Sequence, residues 1–226
     1  MTNEQILSHI DHTLLRPTSS WEEIKKLCDE AVLYKTASVC VPPSYIKRIN
    51  DSYGAALNIC TVIGFPLGYN VKELKIREAE QALAEGANEL DMVINQGDIK
   101  NGDFARAEEE IAALKKTAGG KILKVIIETC YLNREEKIRL SEIVTRAGAD
   151  YIKTSTGFGS AGATMDDVLL FKEQIGKDVK IKAAGGVKSR EDLVQFLEAG
   201  CARIGTSSAV ALLTGPGKEP GTALSY

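Results

Sequence analysis

Short runs of apolar and β-branched residues recur along the chain. They lie at Ile10–Leu15, Ser38–Val41, Cys60–Phe65, Leu90–Asn95, Leu123–Thr129, Tyr151–Thr156, Lys180–Ala184 and Arg203–Thr206. Their starts are spaced by about 28 residues on average, close to one strand-plus-helix unit. Between them lie segments of helical period rich in Glu, Lys, Ala and Leu: Trp21–Leu33, Val71–Glu85, Phe104–Lys116, Glu135–Ala147, Met165–Ile175 and Arg190–Ala199. Ser20 and Glu23 form a capping box at the head of the first, and Thr164 is placed to cap the helix that starts at Met165. Strands that alternate with helices predict a parallel sheet covered by helices.

Eight such units in 226 residues, with no linker-like stretch, predict an α/β fold: one (β/α)8 TIM barrel over residues 1–226. A short N-terminal helix precedes it, and residues 215–226, broken repeatedly by Gly and Pro, read as a mobile tail. An open doubly wound sheet is the rival, since periodicity alone does not prove closure. An internal echo favours the barrel. Three helices end at Gly86, Gly148 and Gly200, and five residues beyond each stand Asp91, Lys153 and Gly205. The equal offset puts these three on one face of their strands, which in a barrel is the interior.

Composition narrows the function. The net charge of −3 gives no basic excess for nucleic acid, and no apolar run nears a membrane span. No signal peptide is visible at Met1–Gln5. Five scattered cysteines, at 28, 40, 60, 130 and 201, read as buried thiols in a reducing compartment, so the cytoplasm is expected. Only two histidines are present, His9 and His12, and no cluster offers ligands at zinc spacing, so neither metal nor cofactor is expected. Fourteen of the twenty glycines lie after residue 113, which assigns the second half of the chain more close-approach backbone.

The candidate chemistry sits on late strands. Lys153 interrupts a strand otherwise fit for burial, and Lys182 occupies the next strand. Two inward ammonium groups on adjacent strands would repel, and one would lose its proton near neutrality, a known route to an amine nucleophile. Asp91 can partner the remaining cation and relay protons; a structural Lys–Asp ion pair is the alternative. Gly185-Gly186 and Gly205-Thr206-Ser207-Ser208 end the last two strands, where barrels bind phosphate, although ordinary strand-to-helix turns would look the same. Gly157–Gly162 matches G-x-G-x-x-G, but Asp178 falls before the next strand and not at its end, so a dinucleotide site is not expected. Asp11 opens the first strand and either faces the barrel or is a turn acid.

These motifs together resemble the deoxyribose-phosphate aldolases, a class I aldolase family. The resemblance covers nearly the whole chain. It is carried by Ile10-Asp11-His12-Thr13-Leu14-Leu15, Val39-Cys40-Val41, Gly64-Phe65-Pro66-Leu67-Gly68, Glu89–Asn95, Lys153-Thr154-Ser155-Thr156-Gly157-Phe158, Lys182-Ala183-Ala184-Gly185-Gly186 and Gly205-Thr206-Ser207-Ser208. It implies that Lys153 is the Schiff-base lysine, that Lys182 depresses its pKa, and that Lys182 and Asp91 hold a proton relay. Gly185, Gly186, Gly205, Ser207 and Ser208 would hold a phosphate, with Gly157 and Phe158 adding backbone and with Asp11, Thr13 and Thr156 near the substrate. Tyr226, at the end of the tail, would assist proton transfer. The implied ligands are a phosphosugar and acetaldehyde, with self-association into a homo-oligomer open. Two other readings remain at this point: a sugar-phosphate isomerase, and a phosphosugar-binding barrel without catalysis.

Overall fold

The computed structural model describes residues 1–215. Eight parallel strands close into a barrel in sequence order, with β1 hydrogen-bonded to both β2 and β8. The strands are β1 (Ile10–Thr13), β2 (Ser38–Val41), β3 (Ile59–Ile63), β4 (Glu89–Val93), β5 (Ile122–Ile126), β6 (Tyr151–Lys153), β7 (Lys180–Ala184) and β8 (Cys201–Thr206). Each of the eight apolar runs thus overlaps a strand, and the closed order excludes the open sheet. The helices are α1 (Asn3–Leu7), α2 (Trp21–Tyr34), α3 (Ile46–Tyr53), α4 (Lys72–Glu85), α5 (Gln96–Lys100), α6 (Phe104–Ala118), α7 (Arg134–Arg146), α8 (Met165–Gln174), α9 (Arg190–Ala199) and α10 (Ala209–Thr214).

The period of two along each strand separates two interiors. Outward residues such as Val39, Ile63, Leu90, Met92, Val125, Ile152, Ala183 and Ile204 pack against the helices in one continuous apolar core. The alternate residues face the barrel axis. Its lower part is charged, while Leu15, Cys40, Cys60 and Val62, with Phe65 against them, form a separate apolar patch.

Local chemistry fixes where the helices start and stop. Ser20, Asn133 and Ser189 each accept a backbone N–H three residues on, and the side chain at that third position returns the bond, which closes a capping box. Gly86 and Gly200 end α4 and α9 at φ 115° and 116°, a backbone that a side chain disfavours. Three helices are too short for the sequence reading to have marked them. α3 buries only Ile46 and Ile49, α5 is a single turn capped by Asn95, and α10 has six residues. The G-x-G-x-x-G segment opens no helix. It crosses the barrel mouth and packs Gly162 against Gly185, while the N–H of Ala163 donates to the carbonyl of Ala184 at 3.0 Å.

One charged pair lies in the outer core. Lys75 of α4 is fully buried; its ammonium donates to the carbonyl of Val93 at 2.8 Å and meets Glu110 of α6 at 2.8 Å. Its stem runs over Gly64, where a Cβ would lie 2.7 Å from Lys75 Cε. Burial lowers the Lys75 pKa and raises that of Glu110, so desolvation outweighs the attraction on both sides of the pair. Glu110→Ala is expected to cost about 3–5 kcal/mol by stranding the ammonium. Lys75→Met combined with Glu110→Leu is expected to be near neutral. Urea unfolding midpoints check both, and equal losses in the two variants would contradict this account.

Candidate active site

Six strands bring seven charged side chains to the barrel axis: Asp11 on β1, Glu89 and Asp91 on β4, Lys124 on β5, Lys153 on β6, Lys182 on β7 and Arg203 on β8. All but Arg203, which is partly exposed, are buried. Such charges persist in a dry interior only when paired. Asp91 is the centre. Its Oδ2 accepts from Lys153 at 2.8 Å and from Lys182 at 2.7 Å; its Oδ1 accepts from Lys124 at 2.8 Å and from the Cys60 thiol at 3.1 Å. Lys182 also meets Asp11 at 2.5 Å, and Lys124 meets Glu89 at 2.6 Å and Asp11 at 3.5 Å. Arg203 closes the base of the network on Asp11 and, at 2.9 Å, on Glu89.

The electrostatics follow from this wiring. Burial alone would raise Asp91, but Lys124, Lys153 and Lys182 hold it well below the usual carboxylate range. Asp11 is held low in the same way by Lys182, Lys124 and Arg203. Burial works against the charge on Lys182, yet Asp11 and Asp91 keep it above the ordinary lysine value. Lys124 is held up likewise, chiefly by Asp91. Lys153 has one carboxylate partner, Lys182 has two and Lys124 three. Releasing Lys153 therefore breaks the fewest ion pairs. Asp91, expected to partner the remaining cation, accepts from both lysines on the one oxygen, Oδ2.

Around the mouth, Glu128 follows β5 in a left-handed conformation at φ 51°. Its buried carboxylate accepts the backbone N–H of Thr156 at 3.2 Å and, through a short bond, the Thr156 hydroxyl. Burial pushes the Glu128 pKa up, against the opposing effects of Thr156 and Lys153. The Thr156 hydroxyl in turn accepts the N–H of Phe158 at 3.0 Å, and the Phe158 ring meets Phe65 edge-on at 5.3 Å. Glu128 thus ties the loop after β6 to the loop after β5. Gly157 precedes Phe158 at the rim with φ 91°.

The other expected positions divide. Gly185 and Gly186 turn the chain after β7 at φ 76° and 77°. Gly205 is buried, and a Cβ there would lie 3.1 Å from Lys182 Cε, so its smallness makes room for that lysine. Ser207 is exposed, and the Ser208 hydroxyl lies 3.0 Å from that of Thr206. The Thr13 hydroxyl donates to the carbonyl of Asp11 at 2.6 Å; Thr13 and Ser207 also line a cavity of about 520 Å³ between α2 and α10, outside the barrel. His12 is buried on the outer face of β1 against Glu30 at 2.8 Å, away from the lysines. Tyr226 lies outside the described residues.

Sequence reasoning missed Lys124, Glu89, Arg203 and Glu128. The first three carried a signal, because each is a charged residue inside an apolar strand. Glu89 and Arg203 also stand two positions before Asp91 and Gly205, on the same face. Glu128 carried the same signal within the apolar run Leu123–Thr129, although the structure places it beyond the end of β5.

The chain matches the profile described as DeoC/LacD family aldolase over residues 6–215. It is 61% identical over 215 residues to a deoxyribose-phosphate aldolase of Clostridium botulinum strain Alaska E43, covering 95% of this chain and 97% of that protein. It is 56% identical over 210 residues to one from Clostridioides difficile strain 630, covering 93% and 96%. Among solved structures, the tetrameric deoxyribose phosphate aldolase of Aeropyrum pernix superposes with a TM-score of 0.87 at 34% identity, covering 94% of this chain and 91% of that one. The barrel and its matches agree, and the chain belongs to the DeoC/LacD family of aldolases.

Proposed function

We propose that this chain reversibly cleaves 2-deoxy-D-ribose 5-phosphate to acetaldehyde and D-glyceraldehyde 3-phosphate through a Schiff base on Lys153. The observation that carries this reading is the lysine with a single carboxylate partner, set at the end of its strand beside a second, firmly charged lysine on the same Asp91 oxygen. The names of the relatives support the substrate. A sugar-phosphate isomerase is not favoured by them, and neither is a barrel that only binds.

Asp91 takes a proton from Lys153, and the neutral amine adds to the C1 aldehyde. Loss of water leaves an iminium, which draws in the electron pair of the C2–C3 bond. The C3 hydroxyl gives up its proton, C3 leaves as the aldehyde of glyceraldehyde phosphate, and an enamine remains on Lys153. Protonation at C2 and hydrolysis release acetaldehyde and restore the amine. Asp91 and Lys182 are the groups within hydrogen-bond reach that hold and return these protons. No step in this scheme calls on a metal.

For the phosphate, we assign the turns at Gly185-Gly186 and at Ser207-Ser208, with Gly157 and Phe158 at the rim. The exposed hydroxyl of Ser207 and the glycine backbone support this. Thr156 positions the rim, Asp11 holds Lys182, and Tyr226 serves as a further proton carrier at C2 on the sequence evidence alone. The cytoplasm is the proposed compartment, supported by five free cysteines. No helix among the described residues is long and apolar enough to cross a membrane. Self-association is proposed on the exposed patch of Leu67, Tyr69, Val71 and Leu74.

Acetaldehyde with borohydride is expected to leave an ethyl group on Lys153, located by mass spectrometry. Lys153→Ala is expected to lose at least about 10⁴-fold in turnover while staying folded; trapping at another lysine would overturn the assignment. Ser207→Glu is expected to raise KM for the phosphosugar by about tenfold or more, a loss of about 1.4 kcal/mol, and to leave trapping with acetaldehyde unchanged. Deleting Tyr226 is expected to slow proton exchange at the methyl of acetaldehyde, read by NMR in deuterated water. Unchanged exchange would remove it from the scheme.

A further inference from the structure

The mechanism leaves two buried nucleophiles unused. Cys40 and Cys60 are register partners on the adjacent strands β2 and β3, and both are fully buried inside the barrel. Their sulfurs and a carboxylate oxygen of Asp91 all lie within 4.8 Å of one another. We propose that Cys40, Cys60 and Asp91 form a binding site for a thiophilic divalent cation of the zinc and cadmium class, and that its occupation stops turnover.

The donor set suits such an ion. Two thiolates and one carboxylate, with a water as the fourth ligand, are what a zinc-like cation takes in a tetrahedral site, at bonds of about 2.0–2.3 Å. Those bonds span most of the present separation, so side-chain rotation closes the remainder. The charge also balances. Two thiol protons leave for solvent as one dication enters, and the net charge of the interior does not change. This matters where three acids already face four basic groups. The geometry, with both thiols and Asp91 Oδ1 converging from adjacent strands, carries the assignment.

A neighbouring triangle shows what a filled position looks like. Asp11, Cys60 and Glu89 also bring ligand atoms within 4.8 Å of one another. There Lys124 Nζ already serves as the cation, 2.6 Å from Glu89, 3.2 Å from Cys60 and 3.5 Å from Asp11.

Loss of turnover follows from which oxygen the ion takes. Cys60 lies on Oδ1 of Asp91, so the ion competes there with Lys124, which keeps Glu89. Lys153 and Lys182 stay on Oδ2. A carboxylate bonded to a dication is a poorer proton acceptor, and the transfer from Lys153 to Asp91 slows. The inhibitory consequence rests on the proton role proposed for Asp91; the binding does not.

The test uses the reduced, full-length protein. Titration with cadmium is expected to give the ultraviolet thiolate-to-cadmium charge-transfer band, saturating at one ion per chain. Zinc is expected to abolish aldol turnover, a chelator to restore it, and the apparent affinity to rise by up to about a hundredfold per pH unit, the slope of two released protons. Cys40→Ser removes one thiolate but none of the groups given a role in turnover. It is expected to keep basal activity and to need at least about a hundredfold more zinc for half inhibition. If that variant does not fold, protection of Cys40 and Cys60 from alkylation by cadmium in the unaltered protein decides instead. No band at one equivalent, or inhibition unchanged in Cys40→Ser, overturns the proposal. A band without loss of turnover supports the site and overturns the proton role of Asp91.

Discussion

A carboxylate with no access to water holds this barrel interior together. Asp91 accepts from three ammonium groups and one thiol, and each of those lysines comes from a different strand. In a low-dielectric interior an unpaired ammonium costs several kcal/mol even after relaxation. The three lysines are affordable only as a set, around one anion that faces all of them. Asp11 and Glu89 then neutralise what Asp91 leaves over, and Arg203 ties those two together at the base. The network is therefore a poor source of net stability. That comes from the apolar layer between strands and helices, where almost every outward strand residue is buried.

Closure of the sheet makes this arrangement possible. In an open sheet, β4 and β7 would lie three strands apart and their side chains would not meet. In the barrel, Asp91 on β4 reaches Lys182 on β7 directly, because both point at the axis. The same geometry divides the interior. Charged residues come from β1 and from β4 to β8, whereas β2 and β3 contribute Cys40, Cys60 and Val62.

Legibility in the sequence followed the range of the interaction. The eight strands could be read because each is an apolar run, and the long helices because their period and caps are local; Ser20, Thr164, Gly86 and Gly200 each act within a few residues. Lys153, Lys182 and Asp91 could be read because a charge inside an apolar strand needs an explanation. The wiring could not. Whether Lys182 faces Lys153 in repulsion or shares Asp91 with it depends on strand tilt and closure, which no local pattern encodes. Lys124 carried the same signal as Lys153 but stood outside any repeat offset. Glu128 stood in its apolar run as a charge, but its role was not legible, since it comes from a left-handed turn after β5 and from a partner, Thr156, on another strand's loop.

The inequality among the lysines is what turns a charged core into a candidate site. Lys124 sits at the centre of three carboxylates and Lys182 between two, so each is fixed by more than its own strand. Gly205 sharpens this for Lys182, because a Cβ there would press on the end of its stem at 3.1 Å. Lys153 stands at the last position of the shortest strand, on a single oxygen that it shares. The loop after it is tied to β7 at Thr154, whose N–H donates to the carbonyl of Lys182 at 3.1 Å, and farther on to Glu128 through Thr156. The network thus ties Lys124 and Lys182 to several carboxylates and leaves the cation with the fewest partners at the end of its strand.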